Sequence, residues 1–139
     1  MATRALVVDD LPTNIDLART VLEADGFVVE GACDGAEAMN KVFRFVPDVI
    51  LMDIRMPGLD GLELKTILKS TRATSNIVVI AFTAYYTPMD AGLLRRMGWE
   101  GLLAKPIQVA TFAAQVRSEM ETASRQRPTT GVRESTLRI

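Results

Sequence analysis

Five short runs of this chain are apolar almost from end to end: Ala5–Val8, Phe27–Val29, Val49–Met52, Ile77–Phe82 and Gly101–Ala104. A strand with one face in water alternates apolar and polar residues, so runs without alternation read as strands buried on both faces. Such strands belong to a parallel sheet with helices packed on either side. The segments between the runs carry helical periodicity and helix punctuation. Asn14 reads as the N-cap of a helix with Ile15, Ala18, Val21 and Leu22 on one face, stopped at Asp25-Gly26. Gly31 closes the second strand, and Asp34-Gly35 opens a helix with Ala36, Met39, Val42 and Phe43 on one face, ended before Pro47. After the turn-rich loop Met56–Gly61 comes a helix carrying Leu64, Ile67 and Leu68. Pro88 suits the first turn of a helix with Leu93, Leu94 and Met97, closed by Gly98. Val109, Phe112, Ala113, Val116 and Met120 form the last helical stripe. Strand and helix thus alternate five times, and right-handed crossovers make this a doubly wound α/β fold.

Composition narrows the function classes. With 139 residues, one domain is expected, spanning 1–123, followed by a flexible tail at 124–139 with four Arg and one Glu. The tail reads first as a solvated end, and second as a basic segment docking on an acidic partner. The net charge of −1 gives no reason to propose nucleic acid or an anionic membrane as a partner of the whole chain. Histidine is absent, which excludes Ser-His-Asp and Cys-His triads, histidine-ligated zinc and a phosphohistidine within the chain. A single cysteine, Cys33, excludes an internal disulfide and fits a reducing compartment. The first residues lack the apolar length of a signal peptide or a membrane span, so a soluble cytoplasmic protein is expected.

In doubly wound sheets the ligand site lies beyond the carboxyl ends of the strands. Four of the runs end there in polar groups: Asp9 and Asp10, Asp53, Thr83, and Lys105. Three carboxylates in one pocket repel one another, and a hard divalent cation answers that repulsion with oxygen ligands. Asp10 and Asp53 suit direct ligation of Mg2+, with Asp9 reached through water. Asp53 is then placed to act as a carboxylate nucleophile toward phosphorus, with Lys105 and the metal neutralising phosphoryl oxygens and the Thr83 hydroxyl donating to one of them. Each residue alone has a plainer reading, as a cap, a strand end or a surface charge. The joint pattern carries the case.

These motifs resemble those of the receiver domain of two-component response regulators. The likeness rests on Val7-Val8-Asp9-Asp10, Ile50-Leu51-Met52-Asp53-Ile54-Arg55-Met56-Pro57-Gly58-Leu59-Asp60-Gly61, Ala81-Phe82-Thr83-Ala84 and Ala104-Lys105-Pro106, and covers about residues 3–123. Asp34-Gly35-Ala36-Glu37-Ala38 matches the family's usual opening of the second helix. The resemblance implies a flavodoxin-like three-layer sandwich with strand order 2-1-3-4-5. It also implies that Asp53 accepts a phosphoryl group from the phosphohistidine of a sensor kinase or phosphotransfer protein. Mg2+ would be held by Asp9, Asp10, Asp53 and the backbone carbonyl of Arg55, and the Lys105–Pro106 bond would be cis. By the same likeness, phosphorylation shifts the face formed by the fourth helix, fifth strand and fifth helix, through which a target protein or a second copy docks.

One departure from the family pattern stands out: the position three before the lysine, usually an aromatic, is Leu102. Tyr85, Tyr86 and Trp99 are close in sequence and are candidates to replace it, although Trp99 reads first as a packing residue. Tyr86, Trp99 and Leu102 are accordingly assigned to the output face. Arg55 and Tyr85 follow Asp53 and Thr83 by two residues, where large side chains are expected to obstruct water and lengthen the phosphorylated state.

A stand-alone phosphoacceptor switch, not a turnover enzyme, is thus expected, with no nucleic-acid partner and no membrane insertion. One alternative is a receiver-like module that is never phosphorylated. A phosphatase with an aspartyl nucleophile is a weaker one, since Arg55 stands where that chemistry needs a second acid. A flavodoxin-like cofactor binder would need a phosphate loop after the first strand, where Asp9-Asp10-Leu11-Pro12 is acidic instead.

Overall fold

The structure, a computed structural model, describes residues 2–54, 61–84 and 88–126. Ten elements alternate along the chain: β1 (Arg4–Val8), α1 (Pro12–Ala24), β2 (Val28–Ala32), α2 (Gly35–Phe45), β3 (Val49–Met52), α3 (Gly61–Ser70), β4 (Val78–Thr83), α4 (Pro88–Arg96), β5 (Gly101–Ala104) and α5 (Phe112–Gln126). The strands form one parallel sheet in the order β2-β1-β3-β4-β5, as the family resemblance implied. Residues 5–8 and 49–52 are fully buried, which explains why their sequences do not alternate: both faces of the sheet are covered. One apolar layer packs α1 and α5 on the sheet through Ile15, Leu22, Phe112 and Val116. The other packs α2, α3 and α4 through Ala38, Val42, Leu64, Leu68 and the partly buried Leu94.

Several local expectations are corrected. Asn14 is not the cap of α1. Pro12 occupies the first turn, its ring pre-setting the helical φ, and the chain enters through Leu11 without a side-chain cap. Gly31 does not close β2 but lies within it, because a Cβ there would stand 2.4 Å from Ile15 Cγ2. On α2 the buried stripe is Gly35, Ala38 and Val42; Ala36 is exposed and Phe43 is 55% exposed. The helix is turned about its axis from the face that Phe43 suggested. Ile67, Leu93 and Met97 are likewise exposed, and Val109 precedes α5 in solvent. α5 ends at Gln126, with Ala123 buried in the first layer; residues 127–139 lie outside the described residues.

Candidate functional site

Register alone brings the acidic residues together. Val8 of β1 pairs with Met52 of β3, so Asp9 and Asp53 leave adjacent strands side by side. The Asp53 N–H donates to the Val8 carbonyl at 2.9 Å, and the Asp9 N–H to Ala32 at 3.0 Å. Thr83 pairs with Ala104, and its carbonyl accepts from the Lys105 N–H at 2.9 Å, tying the ends of β4 and β5 at the same edge. The Lys105–Pro106 peptide is cis.

Asp9, Asp10 and Asp53 each offer a carboxylate oxygen within 4.8 Å of the others. The Lys105 ammonium enters between two of them, with Nζ 2.6 Å from Asp9 Oδ2 and 3.2 Å from Asp53 Oδ2. Burial by itself would lower the lysine's pKa. The hydrogen bond and charge of Asp9, then those of Asp53, outweigh it and hold the ammonium above the ordinary lysine value. Nζ also lies 5.1 Å from the centre of the buried Phe82 ring, which shields it from water on that side. Three carboxylates against one ammonium leave an excess of two negative charges. All-oxygen donors with that excess fit a hard divalent cation such as Mg2+. Asp9, Asp10 and Asp53 are the side chains that would hold it.

Four further residues shape the pocket and were not assigned to it from sequence. Asn14, in the first turn of α1, donates Nδ2 to Asp9 Oδ2 at 3.2 Å, while the Leu11 N–H donates to Asp9 Oδ1 at 2.9 Å. Gly61 opens α3 against the backbone of the central aspartate: a Cβ there would lie 2.3 Å from the Asp53 carbonyl oxygen. Its sequence signal was a turn glycine; the reason for it is close approach. Phe82 had read only as a strand residue.

Of the residues assigned to the output face, Trp99 and Leu102 are 2% and 7% exposed and pack in the α2–α3–α4 layer. Neither is an exposed surface residue. Arg55, Tyr85 and Tyr86 lie outside the described residues.

Fold and pocket together define a doubly wound α/β domain with a carboxylate–lysine site at the carboxyl edge of its sheet. The chain belongs to the response regulator receiver domain family, whose model matches residues 5–117. It is 35% identical over 118 residues to the polar-differentiation response regulator DivK of Brucella ovis, covering 85% of this chain and 96% of that protein. Its fold matches the chemotaxis response regulator CheY4 of Vibrio cholerae with a TM-score of 0.78 at 25% identity, over 86% of this chain and 99% of that one. A putative response regulator from Chloroflexus aurantiacus matches with the same TM-score and identity, over 87% and 99%. The chain is therefore a receiver domain of two-component signalling, a class that works with histidine kinases or phosphotransfer proteins. Among the described residues no helix is long and apolar enough to cross a membrane.

Proposed function

We propose that this chain is a cytoplasmic response regulator receiver that accepts a phosphoryl group on Asp53 and switches its protein contacts in response. The observation that carries the reading is the position of Lys105, whose ammonium bridges Asp9 and Asp53 while Asp10 completes the cluster. An Asp53 oxygen attacks phosphorus, the P–N bond of the donor phosphohistidine breaks as the O–P bond forms, and the donor imidazole leaves. Lys105 moves its hydrogen bonds onto the phosphoryl oxygens, and the Thr83 hydroxyl donates to another. A bound Mg2+, held by Asp9, Asp10, Asp53 and the Arg55 carbonyl, would neutralise charge on the carboxylates and the transferring oxygens. The chain promotes its own phosphorylation and dephosphorylation and is not a turnover enzyme.

The phosphoryl group adds nearly two negative charges beside Lys105, which draws Thr83 inward and alters the α4–β5–α5 face. α4 is the element suited to move, since Ala91 and Leu94 pack only partly against the core. A target protein docks on that face, or a second copy does. The sequence reading of large residues at positions 55 and 85 as a brake on hydrolysis predicts that Arg55→Asn and Tyr85→Ala shorten the phosphorylated half-life; an unchanged half-life in both ends that part of the reading.

The deciding experiment incubates the protein with Mg2+ and acetyl phosphate and measures mass. One phosphoryl group that is absent in Asp53→Asn is the expected result. No label would mark an interaction module that is never phosphorylated, and continuous turnover of varied phosphomonoesters would mark a phosphatase.

A further inference from the structure

Asp9 is fully buried and takes three donors: the Leu11 N–H on Oδ1, and both Asn14 Nδ2 and Lys105 Nζ on Oδ2. Two of these are fixed by the start of α1, and the third is the mobile end of a long side chain. The same ammonium also reaches Asp53. In the phosphorylation reading, on which this inference rests, Lys105 has to leave Asp9 to meet the phosphoryl oxygens. A buried carboxylate that loses a donor is costly unless other donors remain.

We infer that Asn14 is a positioning residue for the receiver reaction: it holds the Asp9 carboxylate in its metal-facing orientation and releases Lys105 for the phosphoryl group. Nothing else in the first turn of α1 accounts for an asparagine. The helix begins at Pro12, so Asn14 does not cap it, and asparagine is a weaker helix former than alanine or leucine. Its amide reaches back across five residues to a charged group instead of satisfying a helix N–H. Without it, Lys105 becomes the sole side-chain donor to Asp9 Oδ2 among the described contacts and competes with a cation for that oxygen. Partners that orient ligating carboxylates typically set metal affinity by ten- to a hundredfold.

The test compares the wild type with Asn14→Leu, which keeps the branching and the number of side-chain heavy atoms and removes the donor. Mg2+ binding is measured by titration calorimetry, and acetyl phosphate labelling across a Mg2+ series. The expected result is a Mg2+ dissociation constant raised about tenfold. The labelling plateau at saturating Mg2+ is kept, and the thermal midpoint is unchanged or higher, because leucine favours the helix. A purely structural role would lower the midpoint and the plateau together and leave the dissociation constant in place, which overturns the inference. Asn14→Ala repeats the measurement if leucine does not fit. Wild type that binds no Mg2+ would sink the reading of the pocket itself; wild type that binds, with a variant that binds equally, would sink only the role of Asn14.

Discussion

Two lysines reach into the interior of this domain, and they meet opposite surroundings. Lys105, at the carboxyl edge of the sheet, lies between the carboxylates of Asp9 and Asp53 and is held above the ordinary lysine pKa. Lys65, on α3, is 6% exposed in the seam between α3 and α4. Its ammonium donates to the Met97 carbonyl just past α4, beside Gly98, and stands 5.9 Å from the centre of the Trp99 ring. Burial, and then the charge of Lys69, push its pKa below the ordinary value. The carbonyls at a helix C-terminus carry partial negative charge and lack helical donors, so a cation is welcome there. A carbonyl and a ring do not compensate desolvation as two carboxylates do. Partner chemistry, more than burial, decides which buried lysine is a strong cation. The pocket sets an ammonium among carboxylates that outnumber it, leaving negative charge for a cation, whereas the seam uses a lysine as a strap between α3 and the end of α4.

The sharpest way to break this contrast is to delete each ammonium in turn. Lys105→Met leaves buried Asp9 next to two other carboxylates, and urea denaturation near neutral pH is expected to show a loss of about 3 kcal/mol. Gly61→Ala tests the pocket's other tight constraint. With a Cβ 2.3 Å from the Asp53 carbonyl oxygen, it is expected to cost about 2 kcal/mol by the same measurement and to abolish phosphoryl labelling. Lys65→Met keeps the apolar stem and removes a poorly compensated charge, so its cost is expected within about 1 kcal/mol. A loss as large as that of Lys105→Met would erase the distinction between the two sites.

Alkaline pH separates the pair by sign. The folded pKa of Lys105 is raised above 10.5, so its stabilising contribution is complete below that value and is lost as pH climbs through the folded one. That of Lys65 is lowered from 10.5, so the unfolded chain binds the proton more tightly, and stability rises with pH through the window just below 10.5. Measured between about pH 8 and about pH 11, Lys65→Met should lose stability more steeply than the wild type and Lys105→Met less steeply. Equal slopes in all three proteins would show that neither lysine titrates differently in the folded state.

Much of this architecture was legible along the chain, for a physical reason. Strands buried on both faces have no polar side to display, so Val49–Met52 announced both its conformation and its depth. Asp9, Asp53 and Lys105 were legible because each breaks an apolar run at its carboxyl end. Amphipathic helices were read less well. On α2, Phe43 and Val42 are adjacent and both apolar, and hydrophobicity cannot say which faces the sheet; packing buried Val42 and left Phe43 in solvent. Trp99 reads first as a packing residue and is buried in the layer under α4, and Leu102 is buried beside it. Gly31 read as a stop signal because its reason, the methyl of Ile15 on another element, is not local.

The order of residues determined which groups could carry charge, where strands and helices alternate, and which ends of the strands are polar. Those properties follow from local periodicity and from the exclusion of polar groups from a two-sided core. Only the folded molecule decided that Lys105 lies closer to Asp9 than to Asp53, that Asn14 turns to Asp9 instead of capping its helix, and that Gly61 presses against the Asp53 backbone. Each of those contacts depends on register and on the direction in which a neighbouring element packs, and such directions are settled by the whole core at once.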